Sequence, residues 1–332
     1  MRCLEKPQGD DRGWVRRTTL HCAVLLVAWF AAAACSNGYV PTSDTGDANL
    51  ADGTAERRDA GTDPDDTMTT PQDGGSADSA ASGVDSGQDG VSSTCTPEGD
   101  GKIGRDEVPL QAGLKAIFRV AQGVTVDTAG QKKSGERHWD YTKSYSGDHA
   151  EAIELQSMDG KWFKADFPDA DYAMKLTGDS EELGVFDITS DALLMLGVVS
   201  PTDESTTTNI EYDPAVKVFD FPLEEGKTWK TEATATGTHA TWSPWTPITY
   251  QETYRNQVDA AGTLETPYGE FDVLRVRTVL ERSQAVSGVP LGTIRTFAFV
   301  AECFGTVATI RSKQGESKTE FDEASEIRRL SK

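Results

Sequence analysis

The stretch Val273-Leu274-Arg275-Val276-Arg277-Thr278-Val279-Leu280 interleaves polar residues with branched apolar ones at period two. In a strand that spacing sends the two sets to opposite faces; a helix would scatter both around its circumference. Residues 249–258 and 292–300 carry similar patterns, and shorter runs occupy 116–120, 138–142, 216–221 and 227–235. Asp159-Gly160 between Ile153-Glu154-Leu155 and Trp162-Phe163 is a hairpin signal. Residues 304–311 and 327–330 read as closing strands, while 190–196 fits a helical turn or a buried strand equally. The expected class is therefore all-β and mainly antiparallel, a curved meander sheet or incomplete barrel with little helix and one wet face. Two β halves joined near 200–215 are compatible with the same pattern.

The β patterning begins only after residue 95. Residues 36–94 are dominated by Ser, Thr, Asp, Gly and Ala, with Tyr39 the sole aromatic. Such a segment buries too little apolar surface to offset its ordering entropy, so it is expected to be a disordered linker. As a flexible coil its 59 residues span roughly 40 Å.

Upstream, Arg16-Arg17 precede an apolar run that ends Ala31-Ala32-Ala33-Ala34-Cys35. Basic flank, short apolar core, small residues and cysteine make a lipoprotein signal peptide over residues 1–34. It resembles the bacterial Leu-Ala-Gly/Ala-Cys motif, with Ala32 standing where Leu is usual. Cys35 is then the lipidated N-terminus of the mature chain. The competing reading, a spanning anchor, needs roughly 20 apolar residues, and about a dozen are present. Ser36 replaces the Asp of an inner-membrane retention signal, so the expected address is the bacterial outer membrane, through the lipid anchor.

Cleavage after residue 34 leaves 27 basic and 51 acidic residues, a formal −24, of which residues 36–94 supply −10. A chain this acidic repels nucleic acid and anionic lipid head groups, which disfavours both as partners. Cys3 and Cys22 leave with the signal. Cys95 and Cys303 remain, an even pair in an oxidising compartment, and are expected to form a disulfide.

Gly226-Lys227-Thr228-Trp229, the run Gly262-Thr263-Leu264-Glu265-Thr266-Pro267-Tyr268-Gly269-Glu270-Phe271 into 272–276, and Phe304-Gly305-Thr306-Val307 together resemble the C-terminal half of uncharacterised bacterial lipoproteins. The resemblance covers roughly residues 216–312. It implies a β-meander of the kind found in half-barrel lipoprotein carriers, with Phe271 facing the core, and carries no catalytic residue. Turn chemistry alone accounts for Pro267 and Gly269.

The candidate metal site opens the domain. Aligning Gly101 with position six of a twelve-residue calcium loop puts Glu98 third, Asp100 fifth and Glu107 twelfth. Glu98, Asp100, Lys102 and Glu107 make up the candidate Ca²⁺ set, resembling a truncated EF-hand. An acidic turn leading into the first strand explains the same residues. No other cofactor is expected. Trp242-Ser243-Pro244-Trp245 places Trp242 and Trp245 as a candidate ligand platform, or as a plug at one end of the sheet. His138-Trp139-Asp140 and Asp148-His149 fit no standard metal signature, and nucleophile motifs are absent.

These features point to a non-enzymatic, lipid-anchored envelope protein. Two readings of its domain follow. One is a curved sheet that holds an apolar ligand; the other is a filled core that meets an envelope protein partner.

Overall fold

The computed structural model describes residues 95–332, except Trp242 and the side chains of residues 243–245. The expected signal peptide, Cys35 and the linker lie outside the described residues. Among the described residues, seventeen strands follow in order. The first six are β1 (Lys102–Ile103), β2 (Lys115–Thr125), β3 (Gln131–Lys133), β4 (Glu136–Asp140), β5 (His149–Glu154) and β6 (Gln156–Ser157). A single 3-10 turn at Trp162–Ala165 separates them from β7 (Tyr172–Lys175), β8 (Leu183–Ile188), β9 (Ala192–Val199) and β10 (Asn209–Asp220). Then come β11 (Leu223–Glu224), β12 (Thr228–His239), β13 (Ser243–Glu265), β14 (Glu270–Gln284), β15 (Pro290–Ala301), β16 (Gly305–Ser312) and β17 (Glu323–Ser331).

Thirteen strands lie side by side in the order β5-β2-β17-β16-β15-β14-β13-β12-β10-β9-β8-β7-β6, all antiparallel along that path. Hairpin β3–β4 joins off the path, with β4 running parallel to β13. The expected all-β class therefore holds, as a nearly closed antiparallel barrel. Strands on both sides of residues 200–215 belong to this one sheet.

Closure comes from the chain itself. The two edge strands, β5 and β6, are separated only by Leu155. Leu155 N–H donates to Leu114 O at 2.9 Å and its carbonyl accepts from Gly113 at 2.6 Å, continuing the β2 side of the sheet. The next residue, Gln156, pairs with Ala173 of β7. At Leu155 the chain thus turns the corner from one edge of the sheet to the other. Farther along the seam Lys175 Nζ reaches Glu151 at 2.9 Å and Gly178 N–H donates to Glu326 at 2.7 Å. Gly178 has no side chain to spare there, since a Cβ would lie 2.9 Å from Val120 and 3.1 Å from Glu151 Oε2.

Two cores flank the β14–β15 part of the sheet. The inner one gathers Tyr172, Phe186, Tyr212, Tyr254, Leu274, Val276 and Leu280. The second lies on the opposite face and contains Trp139, Tyr141, Val273, Phe297, Phe299, Ile310, Phe321 and Ile327. This corrects the expectation of one wet face. Neighbouring Val273 and Leu274 point to different cores, and Arg275 is 1% exposed. The cover comes from β4 and the residues after it, with Trp139 Nε1 donating to Thr128 O at 3.0 Å. Beyond residue 276 the alternation behaves as read, with Thr278 and Leu280 buried and Glu281 exposed.

The Asp159-Gly160 hairpin is also corrected. Trp162 and Phe163 form the 3-10 turn instead of a strand, and Phe163 is fully buried against Phe167. Residues 192–199 take the strand option, as β9.

Candidate functional site

The described domain begins at a pinned end. Cys95 and Cys303 are bonded, with Cα atoms 5.6 Å apart and 208 residues between them in sequence. Cys303 occupies the turn between β15 and β16 with φ of 64°, a left-handed conformation uncommon for a residue with a side chain. Its N–H donates to Glu107 O at 2.7 Å, and Gly99 N–H donates to the neighbouring Glu302 carboxylate at 3.1 Å. Residues 95–108 are in this way tied to the β15–β16 turn by a covalent bond and two hydrogen bonds.

The four residues of the calcium alignment do not gather on one point. Asp100 Oδ1 accepts from Lys102 N–H at 2.8 Å, closing a local turn. Lys102 Nζ pairs with Glu224 at 2.8 Å across the two-stranded β1–β11 sheet, and this bond and charge raise its pKa. Glu107 Oε2 accepts from Gly104 N–H at 2.6 Å. Glu98 is exposed. Among the described residues, no three His, Cys, Asp or Glu side chains already form a group able to hold a metal. Glu98 and Glu107 do line one cavity of about 390 Å³, together with Asp106, Thr96, Pro109 and the disulfide. Asp106 escaped the alignment because it falls between loop positions that donate.

The Trp242 and Trp245 platform lies outside the described side chains; the strand that carries Trp245 is β13, paired to β12 through His239 and Ser243.

The inner face of β13 and β14 carries a polar group that period-two reading assigns to no chemistry. Glu252 and Arg282 stand directly opposite each other in register. Arg282 Nε and Nη2 approach Glu252 Oε1 at 2.6 and 2.5 Å, and Tyr254 OH donates to Glu252 Oε2 at 2.5 Å. Glu252 is 1% exposed, and both its oxygens are occupied. Burial lowers the Arg282 pKa, and Glu252 above all, with Tyr212 and Tyr254, more than reverses this, so the net shift is upward. Tyr212 and Tyr254 are held well above the usual phenol range, first by burial and then by the Glu252 charge. Next along the face, Thr278 donates to Asn256 Oδ1 at 2.7 Å.

The histidines and their carboxylates are spread over separate partners. His138 faces Glu265 at 2.9 Å, His239 faces Glu182 at 3.1 Å, and His149 Nδ1 lies 3.2 Å from Gly147 O. Asp148 is taken by Arg329, which is fully buried and also donates to Lys143 O at 2.6 Å.

No protein-family model matches the chain, and no curated protein matches it. Among solved structures, a crystal structure of a "putative lipoprotein" from Parabacteroides distasonis is similar at 10% identity and a TM-score of 0.30. That alignment covers 67% of this chain and 95% of the other. At this overlap no residue's role carries from one protein to the other.

Proposed function

We propose that the chain is a lipid-anchored envelope protein whose β domain engages a protein partner and turns over no substrate. The observation that carries this reading is the polarity of the barrel along β14 and β15. At one end Cys95 fixes the start of the domain to the β15–β16 turn. At the other end the β14–β15 turn presents Val286 and Val289, 101% and 51% exposed. The twelve residues of β15 between them span about 40 Å at the usual strand rise. The tethered end and the apolar tip therefore lie at opposite ends of the same strands, as suits a domain displayed toward a partner. Lipidation at Cys35, the address on which the reading depends, comes from the signal pattern in the sequence.

The chemistry of the inner face gives further support. A face that receives an apolar ligand is poorly served by a buried ion pair, and Glu252 and Arg282 satisfy each other there. The second reading, an apolar ligand on that face, draws on the inner aromatic group of Tyr172, Phe186, Tyr212 and Tyr254.

In-cell photo-crosslinking tests the proposal, with a photoreactive residue at Val286 and, as a control, at Glu232 on the exposed side of β12. The expected result is one discrete protein adduct from position 286 and none from 232. Equal or absent crosslinking at the two positions contradicts it.

A further inference from the structure

We infer that the Cys95–Cys303 bond is a redox-releasable clasp: a dithiol reductant opens it by thiol–disulfide exchange and frees the start of the domain while the barrel stays folded. Cys303 is 6% exposed, but Cys95 is half-buried, and both line one cavity of about 390 Å³. An incoming thiolate therefore has a route to the bond through the folded protein. A disulfide sealed in a core offers none, whereas exposed ones are the labile and regulatory kind.

What the bond holds is a short segment. Residues 96–101 are exposed, and among the described residues their hydrogen bond to a distant part of the chain is Gly99 N–H to the Glu302 carboxylate. From Ile103 onward the chain is held without the cysteine side chains. Ile103 and Val108 are 3% and 2% exposed in the inner core, β1 pairs with β11, and Glu107 O accepts from the Cys303 backbone N–H. Among the described residues, no strand includes any of residues 95–101. Opening the clasp thus leaves every strand pairing in place. It adds seven residues to the segment that precedes the domain, roughly 23–25 Å of reach when extended.

The exchange is a two-electron reduction. One thiolate of the reductant attacks Cys95 Sγ, the more exposed sulfur; the S–S bond breaks, and Cys303 leaves as a thiolate that takes up a proton. The reductant's second thiolate then attacks its own sulfur in the mixed disulfide, which releases Cys95 to be protonated and closes the reductant's own disulfide. Two electrons and two protons have passed from the dithiol to the protein. Glu98, Asp106 and Glu107 line the same cavity and no basic side chain does. A reductant carrying further negative charge is repelled there, so an otherwise uncharged dithiol is the matching class.

The test is reduction of the mature chain, residues 35–332 with Cys35→Ser, by dithiothreitol without denaturant. Alkylation and intact mass follow the thiols, circular dichroism follows the barrel, and a glutamate-specific protease probes Glu98 in the exposed segment. The expected result is two alkylated thiols, formed at a rate that rises in proportion to dithiothreitol. The β-sheet spectrum is expected to persist, and cleavage after Glu98 to run at least tenfold faster than in the oxidised chain. Cys95→Ser/Cys303→Ser is expected to reproduce the reduced chain in spectrum and cleavage. A bond reduced only in denaturant, or at a rate independent of dithiothreitol, overturns the proposal, as does loss of the β spectrum on reduction or unchanged cleavage after Glu98. These outcomes are independent of crosslinking at Val286.

Discussion

Lys175 Nζ sits 2.9 Å from Glu151 Oε1, an ion pair that reaches from β7 to β5 and bridges the barrel's seam. Their side chains are 20% and 15% exposed, and a second carboxylate, Glu181, approaches the same ammonium at 2.7 Å. Arg328 Nη1 of β17 also lies 3.5 Å from Lys175 O, so the seam is tied from β17 as well as from β5. Burial lowers the Lys175 pKa, and the hydrogen bonds it donates to Glu181 and Glu151, together with their charges, more than compensate, leaving it raised. Lys175→Met removes the cation and leaves Glu151 buried without it, at an expected cost of about 2–3 kcal/mol. The Lys175→Met/Glu151→Leu pair is expected to recover most of that loss. Because the folded pKa is raised, this contribution is present below about pH 10.5 and disappears as pH rises through the folded value. Denaturant melts of the two variants at pH 7 check the prediction; equal stability of single and double variants would refute it.

Arg275 carries the second core. Its guanidinium takes both oxygens of Asp259 at 2.8 and 3.0 Å and those of Glu320 at 2.7 and 3.2 Å, and lies 4.2 Å from the centre of the Phe297 ring. Lysine keeps the charge but has one nitrogen where two forks are needed. Arg275→Lys is therefore expected to cost about 2–4 kcal/mol, with an unchanged denaturant slope. A loss under 0.5 kcal/mol would show that charge alone suffices.

The tyrosines predict the alkaline limit of the fold. Burial holds Tyr141, Tyr172, Tyr212, Tyr250 and Tyr254 above the ordinary phenol range, and Tyr145 is pushed up to about 12. Their neutral forms are favoured by folding, so the native state holds more protons than the unfolded chain above about pH 10. Stability then falls as pH rises past that value. Phenolate absorbance is expected to lag behind a denatured control and then to rise together with unfolding. A native titration that overlays the denatured one contradicts the burial of these phenols.

Thiol counting addresses the pinned end. The denatured, unreduced Cys35→Ser chain without residues 1–34 should show no free thiol. Cys95→Ser/Cys303→Ser is expected to lose about 2–5 kcal/mol, the range for bridges that close long loops. Two free thiols in the parent chain would end the proposal that the mature protein is oxidised there.

What the sequence made legible was periodicity and cysteine number. The strand patterns at 249–258, 272–282 and 292–300 sit inside β13, β14 and β15, and the bonded pair is the one that counting leaves. Long-range register was hidden. Asp259-Ala260-Ala261-Gly262 looks like the end of a strand, yet β13 continues to Glu265 through a bulge between Val258 and Ala260. That bulge leaves Asp259 without a pairing partner in β14 and hands its carboxylate to Arg275. Arg275 itself reads as solvent-facing because the strand that covers it lies more than a hundred residues earlier. Glu252 and Arg282 likewise look like surface charges until the β13–β14 register sets them opposite each other. Asp106 stayed hidden because it is defined by a cavity wall and not by spacing.

The central claim is that the domain meets a protein partner, and that its inner face, where Glu252 and Arg282 satisfy each other, holds no apolar ligand. Native mass spectrometry of the Cys35→Ser chain, purified from cells that retain their membranes, tests it most directly. The expected result is the mass of the bare polypeptide, unchanged after incubation with fatty acid. A stoichiometric apolar adduct that survives purification would contradict it.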